Sequence, residues 1–285
     1  MPVTTIAVLG AGIMGRGIAY ASALGGFRTL LQDTSEAALE QGVAEIWATF
    51  EKGVVTGKVP NEAAASANKL LATVRSIEDA VREADLVIEA VPEKIELKVE
   101  LFAQLDRLSP KRAILASNTS SLSITEMAAA TERPGQVVGM HFFNPVHRLK
   151  LLEVVKALET SEATLGAVRA VGERMGKECV VVRESPGFVT SRINAMIGNE
   201  AFYMLQEGVA SARDIDKALK LGLNHPMGPF ELVDLVGLDT RLSILRFLHR
   251  TLGEKFRPCP LIEQYVSAGR LGRKSGRGVY EYPKD

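Results

Sequence analysis

The chain has 285 residues, 46% hydrophobic and 24% charged, a composition ordinary for a globular protein of one large or two medium domains. Lys plus Arg number 34 and Asp plus Glu 34, so no global field would draw in nucleic acid or an anionic membrane, and no apolar run approaches the roughly 18 residues needed to cross a bilayer. The only cysteines, Cys179 and Cys259, offer neither a disulfide framework nor metal-ligand spacing, so no metal is expected and a reducing compartment fits.

The first predicted strand, Thr4 to Leu9, begins almost at Met1 and leaves no room for a cleavable signal, so a cytoplasmic protein is expected. It runs into Gly10-Ala11-Gly12-Ile13-Met14-Gly15, which opens an apolar helix. Between a strand and a helix, G-x-G-x-x-G is a strong sign of a dinucleotide loop. Gly10 permits the tight turn, Gly12 lets the backbone approach a pyrophosphate, and Gly15 brings the helix close to the sheet. The phosphates would rest on the helix N-terminus. The next strand, Arg28 to Gln32, ends at Asp33, which is placed to accept hydrogen bonds from both adenosine ribose hydroxyls. A 2′-phosphate would meet that negative charge with no compensating cation at Thr34 or Ser35, so NAD is favoured over NADP. The loop taken alone is also compatible with FAD.

Further strand-like runs lie at Leu71 to Val74, Leu86 to Val91, Ala113 to Ala116 and Val137 to His141, with helix-patterned stretches between several of them. This alternation predicts an α/β fold built on a mainly parallel, doubly wound sheet. The helix Glu36 to Lys52, with the loop through Lys58, could give cations and an apolar slot to an anionic ligand, although solvated lysines are at least as good a reading.

From Gln136 to Val155 the text reads strand, proline-containing turn, strand. Folding the second strand back about His147 places His141 opposite Glu153, since each lies six residues from it, and facing residues in such a pair have Cβ atoms roughly 4.5–5.5 Å apart. A carboxylate there would hold one imidazole nitrogen and leave the other to take a proton from a substrate hydroxyl. A purely structural hydrogen bond is the alternative. Downstream of a nucleotide loop, the pair points to alcohol oxidation.

An alanine-rich helix near Glu162 to Met175 and a short strand, Cys179 to Val182, precede the break at Ser185-Pro186-Gly187. Beyond it the pattern is helical: Phe188 to Leu205, Ala212 to Leu219, Pro229 to Val236, Thr240 to Leu252 and Pro260 to Ala268. The expected division is a Rossmann-type NAD-binding domain over residues 1–184 and an all-helical substrate and dimerisation domain over 185–285. The apolar stretches Phe230 to Leu238 and Leu242 to Leu248 exceed what so small a domain should bury, which predicts a symmetric partner and a homodimer. The basic, glycine-rich tail Leu271 to Gly278 is either a solvated turn or a ligand contact.

Taken together, these segments resemble the 3-hydroxyacyl-CoA dehydrogenase family, and most closely its short, stand-alone members of the 3-hydroxybutyryl-CoA dehydrogenase type. The resemblance runs over nearly the whole chain. It is carried by the glycine loop, Glu89-Ala-Val-Pro-Glu93, Ala116-Ser-Asn118-Thr-Ser120-Ser, His141-Phe-Phe-Asn144-Pro145, Glu153, Pro186-Gly187-Phe188, Asn199-Glu200-Ala201 and Pro226-Met-Gly228-Pro229. It implies reversible, NAD-dependent oxidation of an (S)-3-hydroxyacyl-CoA, with His141 as general base and acid oriented by Glu153, and Ser120 beside the reacting oxygen. Ser120 could instead cap the helical run beginning near Ile124.

The resemblance also puts Glu93, Lys98, Asn118, Ser120 and Asn144 near the nicotinamide half of the cofactor, Lys274 reaching toward it from the tail, and coenzyme A contacts around Lys52. Asn144 before Pro145 is equally turn chemistry. One position departs from the family pattern. Ser191 stands where an asparagine is usual, a shorter donor with no amide nitrogen, so activity is expected to survive with an altered contribution. The rival readings are a dehydrogenase of a CoA-free β-hydroxy or sugar acid, and a non-catalytic NAD-binding protein of the lens-crystallin kind.

Overall fold

The computed structural model describes residues 2–283. The chain divides into two compact units, Met1–Ser185 and Pro186–Asp285. In the first, eight strands form one sheet: β1 (Thr5–Leu9), β2 (Arg28–Gln32), β3 (Leu71–Val74), β4 (Leu86–Glu89), β5 (Ile114–Ser117), β6 (Val137–Phe142), β7 (Leu151–Lys156) and β8 (Glu178–Arg183). Their order is β3-β2-β1-β4-β5-β6-β7-β8. The first six are parallel, β7 pairs antiparallel with β6, and β8 runs parallel to β7.

The helices of this unit are α1 (Ile13–Leu24), α2 (Glu36–Val55), α3 (Asn61–Leu70), α4 (Ile77–Val81), α5 (Ile95–Leu108), α6 (Ile124–Ala129) and α7 (Glu162–Arg174). Alternate strand residues, among them Ile6, Val8, Ile88, Met140 and Val154, join residues of α1, α2 and α7 in one core. Their neighbours Ala7, Leu9, Val87 and Leu115 are equally buried, so both faces of the sheet are covered, as a parallel sheet requires. The chain switches direction of travel between β1 and β4, and ligands of open α/β sheets bind at the carboxyl ends of the strands flanking such a point.

Each strand and helix predicted with bounds is recovered to within three residues. The fourth strand stops at Glu89 rather than Val91, because the Glu89 carboxylate takes the Val91 amide at 2.7 Å and turns the backbone out of the ladder. The sequence reading also did not resolve α3, whose alanine-rich text carries little helical contrast beyond a proline at its start.

The second unit is all helical: α8 (Thr190–Gln206), α9 (Ala212–Gly222), α10 (Pro229–Val236), α11 (Leu238–Leu252) and α12 (Pro260–Ser267). Its core holds Phe202, Phe230, Val233, Leu238, Leu242, Leu245 and Leu248. The apolar stretches expected to need a partner are thus largely buried within the unit itself, and so do not call for one. Other apolar side chains of the unit stay exposed, among them Val189, Ile193 and Met196 at the start of α8 and, within the first of those stretches, Leu235 and Val236.

Buried carboxylates organise this unit. Asp216 accepts from the Phe230 amide at 2.8 Å and the Glu231 amide at 3.2 Å, satisfying first-turn donors of α10. Asp234 accepts from the amides of Val279 and Tyr280 at 2.8 and 2.9 Å and from the Tyr282 hydroxyl at 2.9 Å. These bonds hold the segment after the basic tail on α10, while the tail's own Arg273, Lys274 and Arg277 stay exposed to solvent. Asn199, one of the family marks, bridges Arg257 O at 2.8 Å and Cys259 N at 2.9 Å.

Candidate active site

The glycine loop follows β1 at the switch point. Gly10 has φ of +99°, and a Cβ there would stand 2.7 Å from the Ala90 carbonyl oxygen. At Gly15 a Cβ would fall 1.7 Å from Gly10 O, so its lack of a side chain lets the helix close on its own loop, a tighter demand than contact with the sheet. A Cβ at Gly12 would meet nothing within 4 Å, which leaves open the approach of a pyrophosphate to the backbone. No side chain caps α1 and no acid lies in its first turn, so its amides can face an anion. Ile13 is exposed at the loop's outer side, and Met14 packs against the core.

Asp33 closes this region. Its Oδ2 accepts from the Ala11 amide at 2.9 Å and its Oδ1 from the Ser35 amide at 2.9 Å. An ionised carboxylate offers about four lone-pair positions, so two backbone bonds fix its orientation and still leave acceptor capacity for ribose hydroxyls. Loop, helix end and carboxylate together fit the adenosine diphosphate half of NAD.

A polar network lies at the ends of β4 and β5. Lys98, from α5, is buried and donates to Glu89 Oε1 at 2.6 Å, while Glu93 Oε2 lies 3.1 Å away. Glu89 also accepts from Ser117 Oγ at 2.6 Å. Glu93 takes the Ser120 amide at 3.0 Å and the Thr119 hydroxyl. Lys98 therefore sits between two carboxylates, and the second of them fastens the loop that carries Ser120. The helix after that loop is capped by Ser123, which accepts from the Glu126 amide, so capping is not the role of Ser120. Glu89 and Thr119 were not foreseen as site residues. The signal was there in Glu89, a charged residue at the end of an apolar strand.

Asn118 Oδ1 accepts from the Phe142 amide at 2.9 Å and ties the end of β5 to the end of β6. There His141 stands directly across from Glu153 in the β6–β7 register. His141 Nδ1 donates to Glu153 Oε2 at 2.7 Å. Both residues are buried, and the Phe143 ring lies 4.3 Å from the imidazole, centroid to centroid. Asn144 is exposed in the turn that follows and precedes a cis bond to Pro145.

Ser191 and Lys274 belong to the helical unit. Ser191 is partly buried in the first turn of α8, and Lys274 is held by Asp239 at 2.7 Å.

A separate cleft of about 1050 Å³ opens in the sheet unit between α1, α2 and the β6–β7 turn. Lys52 lines it, as do Lys58, His147, Arg148, Lys150 and Lys177. Lys177 is buried and donates to Val146 O and, at 2.8 Å, to Leu149 O, stapling the turn. Burial holds its ammonium below the usual lysine range. Among the described residues no group of three or more His, Cys, Asp or Glu is gathered to hold a metal, and no helix is long and apolar enough to cross a membrane.

Residues 5–185 match the family model described as 3-hydroxyacyl-CoA dehydrogenase, NAD binding domain, and residues 187–282 the model for the C-terminal domain of the same family. A probable 3-hydroxybutyryl-CoA dehydrogenase of Bacillus subtilis is 48% identical, covering 99% of this chain and 98% of its own. A 3-hydroxybutyryl-CoA dehydrogenase of Bradyrhizobium diazoefficiens is 44% identical, covering 97% and 94%. Among solved structures, (S)-3-hydroxybutyryl-CoA dehydrogenase PaaH1 from Ralstonia eutropha is 43% identical and superposes with a TM-score of 0.95 over 99% of this chain and all of that one.

Proposed function

The chain belongs to the 3-hydroxyacyl-CoA dehydrogenase family, and from that premise we propose that it oxidises short-chain (S)-3-hydroxyacyl-CoA reversibly to 3-oxoacyl-CoA, with 3-hydroxybutyryl-CoA and acetoacetyl-CoA as the pair. The observation that carries this reading is the buried His141–Glu153 pair at 2.7 Å on the carboxyl edge of an NAD-binding sheet.

Glu153 commits Nδ1 of His141 as a donor, so proton exchange with substrate goes through Nε2. In the oxidation direction His141 takes the 3-hydroxyl proton; in reduction it returns the proton to the 3-oxo oxygen. Bound NAD supplies the acceptor for the hydride leaving C3. Ser120 donates a hydrogen bond to the same oxygen as negative charge develops on it, and Glu93, by holding the Ser120 amide, positions that hydroxyl. Gly10, Gly12, Ile13, Met14, Gly15 and Asp33 hold the adenosine half of the cofactor, with Glu93, Lys98, Asn118, Asn144 and Lys274 assigned to the nicotinamide half. Ser191 contributes at the substrate.

Lys52 and the other cations of the cleft are assigned to the phosphates of coenzyme A, which favours a CoA thioester over a CoA-free acid. The exposed stripe Val189, Ile193 and Met196, spaced one helical turn apart, supports a homodimer built on α8. The free thiols Cys179 and Cys259 fit a cytoplasmic setting.

The test is NADH oxidation with acetoacetyl-CoA, beside NADPH, a longer 3-oxoacyl-CoA and a CoA-free 3-oxo acid. Rapid turnover that needs NADH and the thioester is expected. Tight NADH binding with no thioester turnover would overturn the reading.

A further inference from the structure

The cleft carries an unbalanced charge. Lys52, Lys58, Arg148, Lys150 and Lys177 all line it, and among the described residues none of the five has an ion-pair partner. The only acid in its lining is Glu45, and that carboxylate is already taken by Arg16 at 2.6 Å. In a chain whose formal charges cancel, so concentrated an excess is not the average surface. Like charges within a screening length of about 8 Å repel, and the repulsion is relieved when an anion of several charges enters.

His147 stands at the tip of the β6–β7 turn inside this field. The Tyr20 ring of α1 meets it edge-on at 6.1 Å. Sharing the lining of the cleft with it are Glu45 and Lys52 of α2, Lys58 after that helix, Arg148 and Lys150 of its own turn, and Lys177 before β8. The residue is exposed at the turn tip, and partial desolvation, followed by Arg148, Lys177, Lys52 and Lys58, holds the imidazole below its usual 6.5. The charged form of the ring is therefore disfavoured while the cleft holds only these cations.

We propose that His147 is a phosphate ligand of this cleft that binds as the imidazolium, so that docking of the coenzyme A nucleotide takes up a proton. The proposal rests on the reading of the cleft as the coenzyme A phosphate site and adds to it the residue and the linkage. Coenzyme A brings a 5′-diphosphate and a 3′-phosphate; a phosphomonoester has a second pKa of about 6 and carries nearly two charges at neutral pH. Seated among the five cations, those groups replace repulsion of the imidazolium with attraction and add an acceptor for its N–H.

The sign follows from linkage. A pKa raised by binding strengthens the complex fully below the free-state pKa, and the gain is lost as pH rises through the bound-state pKa. Each unit of rise tightens binding by up to tenfold at the acid end. Below about pH 6 protonation of the 3′-phosphate works the other way, so the effect belongs to the interval from about 6 to 7.5.

The test is calorimetric titration of the full-length protein with free coenzyme A at pH 7, in two buffers of different ionisation enthalpy. A net uptake of protons is expected, lost in His147→Gln, with the pH dependence of the dissociation constant between 6 and 7.5 flattened in that variant. Uptake that is absent in the wild type, or unchanged in His147→Gln, overturns the proposal. Lys52→Ala separates the two levels. If it weakens coenzyme A binding while His147→Gln leaves the uptake intact, the cleft assignment stands and the histidine linkage falls. If neither Lys52→Ala nor Lys58→Ala alters binding, the cleft assignment falls and the linkage with it.

Discussion

His141 Nδ1 and Glu153 Oε2 lie 2.7 Å apart because their residues are direct partners in the antiparallel β6–β7 register. The contact is fixed by backbone pairing on both strands, so neither side chain has to search for the other. General acid–base groups of this kind contribute roughly 10²–10⁴-fold. His141→Ala should lose turnover in that range. Glu153→Gln, which keeps the shape but reverses the polarity of one contact, should lower kcat by about 10²-fold or more and leave the NADH dissociation constant within a factor of two. Unchanged kcat in Glu153→Gln would dissolve the dyad.

Asp33 holds the Ala11 and Ser35 amides and is the residue proposed to meet the adenosine ribose. Asp33→Ser should raise KM for NADH at least tenfold and narrow its preference over NADPH, since one charge repelling a 2′-phosphate is removed. The ratio of kcat/KM values for the two cofactors measures it. An unaltered ratio would mean that discrimination lies elsewhere.

Lys98 is buried between Glu89 and Glu93. Removing one partner of a buried pair leaves uncompensated charge and costs about 3–5 kcal/mol. Lys98→Met should lower the urea midpoint accordingly, and adding Glu89→Gln should recover part of the loss. A double variant no more stable than Lys98→Met would argue against charge as the cause.

Asp106 accepts from Arg133 Nε at 2.6 Å and from the Glu132 amide at 3.1 Å. Burial pushes its carboxyl up, but those partners outweigh it and hold the group below the ordinary carboxylate range. Its stabilisation is thus complete above an unfolded-state pKa near 3.9 and is lost as pH falls through the lower folded value. The gap in urea midpoint between wild type and Asp106→Asn should be wide at pH 7 and narrow as pH falls below the unfolded-state value. A gap that does not change with pH would remove Asp106 from the acid response.

Much of this was legible in the chain, for identifiable reasons. Strand pairing has a period of two, so the spacing of His141 and Glu153 about the turn was enough to set them face to face. The glycine loop is a local device whose residues are contiguous. The network around Lys98 was less legible, because Glu89, Thr119 and Glu93 meet only where β4 and β5 end side by side. The cleft was hardest. Lys52, His147 and Lys177 are far apart in sequence, and no periodicity links a helix end, a turn tip and a buried lysine. The helical unit misled in one respect: Leu242, Leu245 and Leu248 looked surplus, yet the unit buries all three.

The pairing of β6 with β7 also bears on how this protein tolerates changes of length. Glu153 is locked between Gly139–Phe142 on one side and Val180 on the other, so its register belongs to the sheet and not to the eight residues that join the hairpin. Insertions or deletions at the tip of that connection can alter the cleft and its cations while the His141–Glu153 pair stays in place. A slip of one position within β7 would do the opposite, turning Glu153 to the other face and setting an aliphatic neighbour against the imidazole.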